Sequence, residues 1–189
     1  AIRGHEWHVT RYKRVLPPEH DTILPFCRLV QGHGDYTPVV FEKAQLIHFT
    51  WPRQLAQGIV MACPFLCYGD YPKNYQENPM REILTAMPSV YGETIVLPGS
   101  EIGECVAMAK RKDGRWFLAV ENGAEARRLD IRLGFLGAGR WKLLGFRDDP
   151  SGRLDAAVRE ERTVTSGESV GLDIRPCGGY VAMIVKQGD

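Results

Sequence analysis

The spacing of apolar residues changes near residue 95, and this change constrains the fold more than any other feature of the chain. Before it, segments with helical spacing alternate with short apolar runs. After it, apolar and polar residues alternate with the period of two that is typical of strands. The change predicts two units with different architectures, residues 1–95 and residues 96–189.

The first unit begins with strong helix signals. The Pro17–Pro18 pair, followed by acidic residues, predicts a helix start, and Gly32 predicts the helix end. Pro25 lies between them and predicts a kink or a break, because a proline inside a helix removes a backbone donor. Thr50 predicts the cap of a second helix, which continues to about Ala62.

Two short apolar runs separate these helices. Residues 36–41 and 64–68 are expected to be strands, and residues 78–87 are expected to form a third helix. Both runs are apolar on two sides, as buried parallel strands are. Strands and helices that alternate through short links are typical of a parallel α/β fold.

The second unit shows strand patterning throughout. Asp113-Gly114 lies between runs at residues 104–110 and 115–120 and is a strong hairpin signal. Short strands at regular intervals without helices predict an antiparallel β-sandwich that folds as an autonomous unit. Further strands are predicted at residues 129–133, 140–147, 170–174 and 180–186.

Composition excludes several classes of function. With 24 basic and 23 acidic residues, the formal net charge is +1, so the chain lacks the electrostatic footprint of a nucleic-acid-binding protein. No apolar run reaches the ~18 residues that a membrane span requires. The five cysteines are expected to be buried thiols outside any disulfide framework.

Two stretches near the start carry a family resemblance. They are Ala1-Ile2-Arg3-Gly4-His5-Glu6 and Pro17–Arg28, the second continuing to Gly34–Pro38. Together they resemble the end of the catalytic barrel of glycoside hydrolase family 97, a family of α-glucosidases and α-galactosidases. The resemblance implies that residues 1–95 are the terminal strand–helix units of a (β/α)8 barrel. Since such a barrel needs about 250 residues, we expect the chain to be the C-terminal piece of a longer protein.

The resemblance also implies site residues. In the family a segment similar to Glu-Gly-x-Arg-Gly-x-Glu closes a barrel strand, and Arg3, Gly4 and Glu6 match it. Glu6 is expected to be the general acid and a ligand of a calcium ion. Arg3 and His5 are weaker candidates for contact with the substrate. Glycoside cleavage needs such an acid, because the departing oxygen must be protonated.

The expected activity belongs to the parent protein. By the resemblance, the second carboxylate falls upstream of Ala1, so the fragment alone is expected to be inactive. The parent is expected to be a calcium-dependent, exo-acting α-glycosidase, periplasmic or secreted, that acts on an oligosaccharide or α-glycoside. Glucoside or galactoside, inverting or retaining, and the oligomeric state stay open.

A second interpretation concerns the β-rich half. It could be a carbohydrate-binding or structural sandwich without a catalytic role, with the helical half as a remnant. The reading frame upstream of Ala1 discriminates the two hypotheses, because only the first requires it to encode a barrel. Zinc binding is excluded at His5-Glu6-Trp7-His8, because its two histidines are three apart and not four.

Overall fold

The computed structural model describes residues 16–34 and 36–188. Two short 3-10 helices, Leu24–Phe26 and Leu29–Gln31, follow the first α-helix. None of the helices described has the length and apolar character that a membrane-crossing helix requires. The α-helices of this part of the chain are α1 Pro18–Ile23, α2 Lys43–Leu46, α3 Trp51–Val60, α4 Pro72–Glu77 and α5 Arg81–Ala86.

The strands form two antiparallel sheets. One has six strands in the order β1-β2-β3-β8-β5-β6, and the other pairs β4 with β7. Every pair is antiparallel, so the antiparallel sandwich predicted for the second unit is confirmed. The strands are β1 Glu93–Val96, β2 Cys105–Lys112, β3 Arg115–Asn122, β4 Arg127–Arg132, β5 Trp141–Asp148, β6 Ala157–Val164, β7 Ser169–Ile174 and β8 Gly179–Lys186.

The first apolar core lies between the two sheets. Trp116, Leu118 and Leu143 project from the large sheet towards Leu129 and Leu172 of the small one, and all five are buried. Alternation along the strands explains this, because successive side chains point to opposite faces of a sheet. The apolar residues whose alternation predicted the strands therefore also hold the two sheets together.

The second core lies on the opposite face of the large sheet. Phe117, Leu144 and Phe146 face Leu55 and Ile59 of α3, and all five are buried. The helical segment and the sandwich therefore share one apolar layer. The predicted division into residues 1–95 and 96–189 stays a prediction, and β1 lies across the proposed boundary.

Helix α3 is positioned by a cap and by a close approach. The Thr50 hydroxyl accepts a hydrogen bond from the Arg53 amide at 3.3 Å, which confirms the predicted cap. At Gly179 of β8, a Cβ atom would lie 2.6 Å from the Arg53 Cα atom. Only glycine allows the helix backbone to approach the sheet this closely.

The predicted hairpin is present. Strands β2 and β3 pair from Cys105 with Asn122 to Lys112 with Arg115. Asp113 and Gly114 have φ angles of 47° and 75°, the left-handed values that a two-residue hairpin turn requires. The turn chemistry therefore fixes the register of these two strands.

The prediction of strands at residues 36–41 and 64–68 is wrong, because neither run forms a strand. The amide of Gly69 donates to the Pro38 carbonyl at 3.0 Å, which brings the two segments together, but no ladder continues from this bond. Val39 has a φ angle of 65°, which interrupts the extended conformation that a strand needs. The barrel-end architecture expected for the first unit therefore stays a prediction.

The remaining expectations are met in part. Of the two alternatives predicted at Pro25, the break is present, because α1 ends at Ile23 and a 3-10 helix begins at Leu24. Strand β6 was not predicted, because its Arg-Glu-Glu-Arg sequence shows no apolar alternation.

All five cysteines are free, but Cys27 and Cys67 are exposed, contrary to expectation.

Candidate functional site

The residues that the sequence singled out for catalysis lie outside the described residues. Arg3, His5 and Glu6 fall within residues 1–15. Their proposed roles as substrate contacts, general acid and calcium ligand therefore stay predictions. The site that the structure does describe is a cluster of buried charges between the helices and the large sheet.

Arg53 lies at the centre of this cluster. Its side chain is fully buried, and it comes from the first turn of α3. The guanidinium donates to Asp21 Oδ2 at 3.1 Å, to the Asn122 carbonyl at 3.3 Å and to the Pro18 carbonyl at 3.4 Å. A buried arginine needs such partners, because an unpaired charge away from water is strongly destabilising.

Asp21 connects the guanidinium to the segment after Gly34. The Tyr36 hydroxyl donates a short hydrogen bond to Asp21 Oδ1, and Gln57 Nε2 donates to the Tyr36 oxygen at 3.3 Å. Burial, followed by the neighbouring carboxylate of Asp21, raises the pKa of Tyr36 well above its usual range. Tyr36 therefore stays a neutral hydrogen-bond donor at any physiological pH.

The sheet contributes Glu121 and Asn122, the last two residues of β3. The Asn122 side-chain amide donates to the carbonyls of Glu125 at 2.6 Å and Arg175 at 3.0 Å, and this fixes the end of the strand. Glu121 Oε2 lies 3.8 Å from Arg53 Nη2. Among the described residues, neither carboxylate oxygen of Glu121 has a hydrogen-bond partner.

A second polar link joins the same helix to the sheet. Asp148, the last residue of β5, accepts from the Thr50 hydroxyl at 2.6 Å and from the Gly179 amide at 3.1 Å. Burial raises the pKa of Asp148, and these two donors oppose that effect. The start of α3 is thus tied to two strands through one carboxylate.

Asp70, two residues after the second predicted strand, plays a similar part. Its Oδ2 atom accepts from the amides of Phe41 at 2.6 Å and Glu42 at 2.8 Å. Its Oδ1 atom accepts from the Tyr71 amide and the Asn74 side chain, both at 2.7 Å. It lies one residue before the cap position of α4, so it connects two loops and is not itself the cap.

The described residues offer no cluster of side chains for a metal ion. No group of three or more His, Cys, Asp or Glu side chains in that part of the chain is placed to hold a metal ion. Calcium prefers six to eight oxygen ligands, and the Asp21–Arg53–Glu121 cluster is occupied by a cation already. The described residues therefore do not fit calcium, and the metal prediction stays with Glu6.

The tryptophans of the described residues serve the core. Trp116 and Trp141 are buried between the sheets. Trp51 packs against the helical core and donates from Nε1 to the Phe41 carbonyl at 2.9 Å. Core packing therefore accounts for the rings at these three positions.

No motif in the sequence indicates the buried cluster directly. Asp21, Arg53 and Glu121 come from two helices and a strand that lie far apart in the chain. A weak signal was present, because Glu121 directly follows the apolar run of β3 and Arg53 lies inside an apolar helix. A charge at a position patterned as core is either paired or functional.

The fold and the cluster together define a class of protein. This class is an antiparallel β-sandwich domain with a helical layer fixed to one face by buried charges. Residues 90–185 match the family described as "Glycosyl-hydrolase 97 C-terminal, oligomerisation". The chain belongs to glycoside hydrolase family 97, as its sequence motifs implied.

Two relatives are similar over most of the chain. A "Probable retaining alpha-galactosidase" of Streptomyces bingchenggensis is 30% identical over 173 residues, which is 90% of this chain and 26% of that protein. A "Retaining alpha-galactosidase" of Bacteroides thetaiotaomicron is 31% identical over 142 residues, 69% of this chain and 21% of that protein. The chain therefore spans about a quarter of the length of these relatives.

Solved structures share the fold. A family 97 enzyme from Pseudoalteromonas sp. strain K8, in complex with panose, superposes with a TM-score of 0.89 at 24% identity, over 98% of this chain and 31% of that one. A β-arabinopyranosidase superposes with a TM-score of 0.74 at 24% identity, over 88% of this chain and 27% of that one. Both superpositions include the helical layer as well as the sandwich, since each covers more than the β-rich half.

Proposed function

We propose that the chain is the C-terminal portion of an exo-acting α-glycosidase that hydrolyses terminal α-galactosides. The observation that carries the proposal is the similarity to a retaining α-galactosidase over 90% of the chain, which includes both predicted units. The second relative, also a retaining α-galactosidase, supports the same substrate class. An α-glucoside remains the alternative substrate that the family resemblance allows.

Glu6 is the residue of this chain proposed to act in the parent enzyme. As general acid it holds a proton and delivers it to the departing glycosidic oxygen. Arg3 and His5, its sequence neighbours, are proposed to contact the substrate. Calcium, when bound, supplies positive charge that neutralises neighbouring carboxylates, and Glu6 is proposed as one of its oxygen ligands.

The fragment by itself is proposed to lack glycosidase activity. Retaining cleavage needs two carboxyl groups about 5 Å apart, and the family motif places the partner of Glu6 upstream of Ala1. Loss of one partner removes several orders of magnitude of rate. Turnover of nitrophenyl α-galactoside by residues 1–189 above the buffer rate would contradict this assignment.

A role in self-association is proposed for the β domain. The matching family is described as an oligomerisation domain, and this description supports the role. Sedimentation of the parent with and without residues 90–189 tests it, and the full protein is expected to form a larger assembly. If both proteins sediment with the same number of chains per particle, a carbohydrate-binding or structural module would be favoured instead.

The test of the catalytic proposal uses the full-length parent with calcium saturating. Glu6→Gln removes the proton donor with little change in volume, so the rate on natural α-galactosides should fall by ~10²–10⁴-fold. Substrates with a nitrophenolate leaving group need little protonation and should lose much less. Glu19→Gln on α1 is the matched control and should keep the parental rate on both substrates.

Three outcomes would change the proposed roles or the proposed substrate. Equal losses on natural and activated substrates would show that Glu6 binds substrate or metal and does not donate the proton. No loss on either would remove Glu6 from the mechanism. Preference for α-glucosides over α-galactosides in the unmodified parent would replace the proposed substrate.

A further inference from the structure

Glu121 is an unusual carboxyl group for the interior of a protein. Its side chain is fully buried at the end of β3, beneath α3. Neither of its oxygens accepts a hydrogen bond within the described residues. A carboxylate in this position would lose its hydration and gain no hydrogen bond in return, which is strongly unfavourable.

The donors of Arg53 are committed to other groups. Nη1 donates to Asp21, Nε donates to the Asn122 carbonyl, and Nη2 lies 3.4 Å from the Pro18 carbonyl oxygen. The same Nη2 atom lies 3.8 Å from Glu121 Oε2, only slightly further away. The guanidinium can therefore shift from Pro18 towards Glu121 by a small rotation.

The charge balance of the cluster decides which carboxyl group keeps a proton. One guanidinium faces two carboxyl groups, and Asp21 receives donors from both Arg53 and Tyr36. Glu121 receives none in the described part of the chain, so it is the group that should be neutral. Titratable or charged groups that act on it from the surrounding elements are Asp21, Tyr36, Arg53, Cys105 and Lys110.

We propose that Glu121 is a proton-binding site that controls the contact between Arg53 and helix α1. In its protonated form, Glu121 leaves Arg53 Nη2 to the Pro18 carbonyl at the start of α1. In its ionised form, Glu121 attracts Nη2 and weakens that contact. The proton thus sets how firmly α1 is held against α3 and the sheet.

The pKa of Glu121 defines the range in which this occurs. Burial raises it from 4.5 to about 8, against the opposing effect of Arg53, while Asp21 raises it further. The folded chain therefore binds a proton that the unfolded chain releases between pH 4.5 and about 8. The contribution of Glu121 to stability is largest below this range, declines through it as the pH rises, and is lost above it.

The first experiment measures unfolding by urea from pH 5 to pH 9. The chain 1–189 is compared with Glu121→Gln, which is neutral at every pH, and with Glu125→Gln, a control at an exposed position. In the unmodified chain and the control, the unfolding equilibrium constant should rise relative to Glu121→Gln by up to about tenfold per pH unit below pH 8. Parallel curves for all three proteins would overturn the proposal.

A second measurement does not depend on the folding of any variant. Infrared spectra of the unmodified chain should contain the C=O band of a buried protonated carboxyl group at pH 6. This band should disappear with a midpoint near pH 8, and the Arg53 Nε resonance in NMR spectra should shift with the same midpoint. Absence of the band at pH 6, or an Arg53 resonance that does not follow it, would overturn the proposal.

Discussion

The Thr50 hydroxyl donates a hydrogen bond of 2.6 Å to Asp148 Oδ1, and this bond joins the cap of α3 to the end of β5. The Thr50 hydroxyl oxygen also accepts a hydrogen bond from the Arg53 amide at 3.3 Å. One hydroxyl therefore satisfies a helix amide and a largely buried carboxyl group together. This double role makes Thr50 more important than an ordinary cap residue.

Replacement of Thr50 tests this role. Thr50→Ala removes the cap and one donor of Asp148, so the free energy of unfolding should fall by about 1–3 kcal/mol. Thr50→Ser keeps the hydroxyl and should lose much less. Urea unfolding of both variants at pH 7 measures the difference. Equal losses for alanine and serine would show that the methyl group, and not the hydroxyl, is responsible.

Gly179→Ala tests the close approach of α3 to β8. The new Cβ atom would lie 2.6 Å from both the Arg53 Cα atom and the Val120 carbonyl oxygen, so the helix must move. The expected loss is about 1–3 kcal/mol of unfolding free energy. The control is Gly171→Ala in β7, where nothing lies within 4 Å of the added atom. Similar thermal midpoints for the two variants would contradict the packing argument.

Lys110 should make stability depend on pH in the alkaline range. Its ammonium group is buried, donates to the Val60 carbonyl at 2.9 Å and lies 5.5 Å from the centre of the Tyr91 ring. Burial lowers the pKa of Lys110 from 10.5 to about 8, although Glu121 opposes this change. The folded chain therefore prefers the neutral amine, and stability should rise between about pH 8 and 10.5.

The Lys110→Met variant should lack this alkaline rise, whose slope is at most about 1.4 kcal/mol per pH unit. Lys112→Met, at the end of the same strand, serves as the control and should keep the rise of the unmodified chain. Urea unfolding at pH 8, 9 and 10 provides the measurement. The assignment fails if Lys110→Met and the unmodified chain gain stability in parallel.

The shared core predicts the behaviour of residues 96–189 produced alone. The sequence pattern favoured this segment as an autonomous unit, but the structure places Val106, Met108, Phe117 and Phe146 beneath the helices. Without the helices this face is exposed, so the segment should bind an apolar dye and self-associate. The full chain is the reference. A monomeric segment with cooperative unfolding and no dye binding would show that the sandwich needs no helical layer.

Local chemistry explains which elements could be predicted. The Asp113-Gly114 turn and the Thr50 cap depend on a few adjacent residues, so their sequence signals were sufficient. Strand β6 was missed because its charged residues carry no alternation and its conformation comes from pairing with β5. The segment around Val39 was predicted as a strand from apolar content alone, which does not reveal a positive φ angle.

The buried cluster could not be predicted for a related reason. Asp21 and Glu121 are 100 positions apart, and they meet only because α1, α3 and β3 pack together. Sequence patterning gives the face of an element but not the partner of a particular charge. The pairing of Arg53 with both carboxyl groups is therefore a property of the tertiary structure.

The position of Arg53 also limits how family members can be recombined. A chimera joined near residue 90 takes Asp21 and Arg53 from one parent and Glu121 from the other. If the second parent has an apolar residue at position 121, the cluster loses a carboxyl group, and if it has a lysine, two cations meet in the interior. Grafts of this β domain onto the helical segment of another family member should therefore transfer residues 21, 53 and 121 as one set.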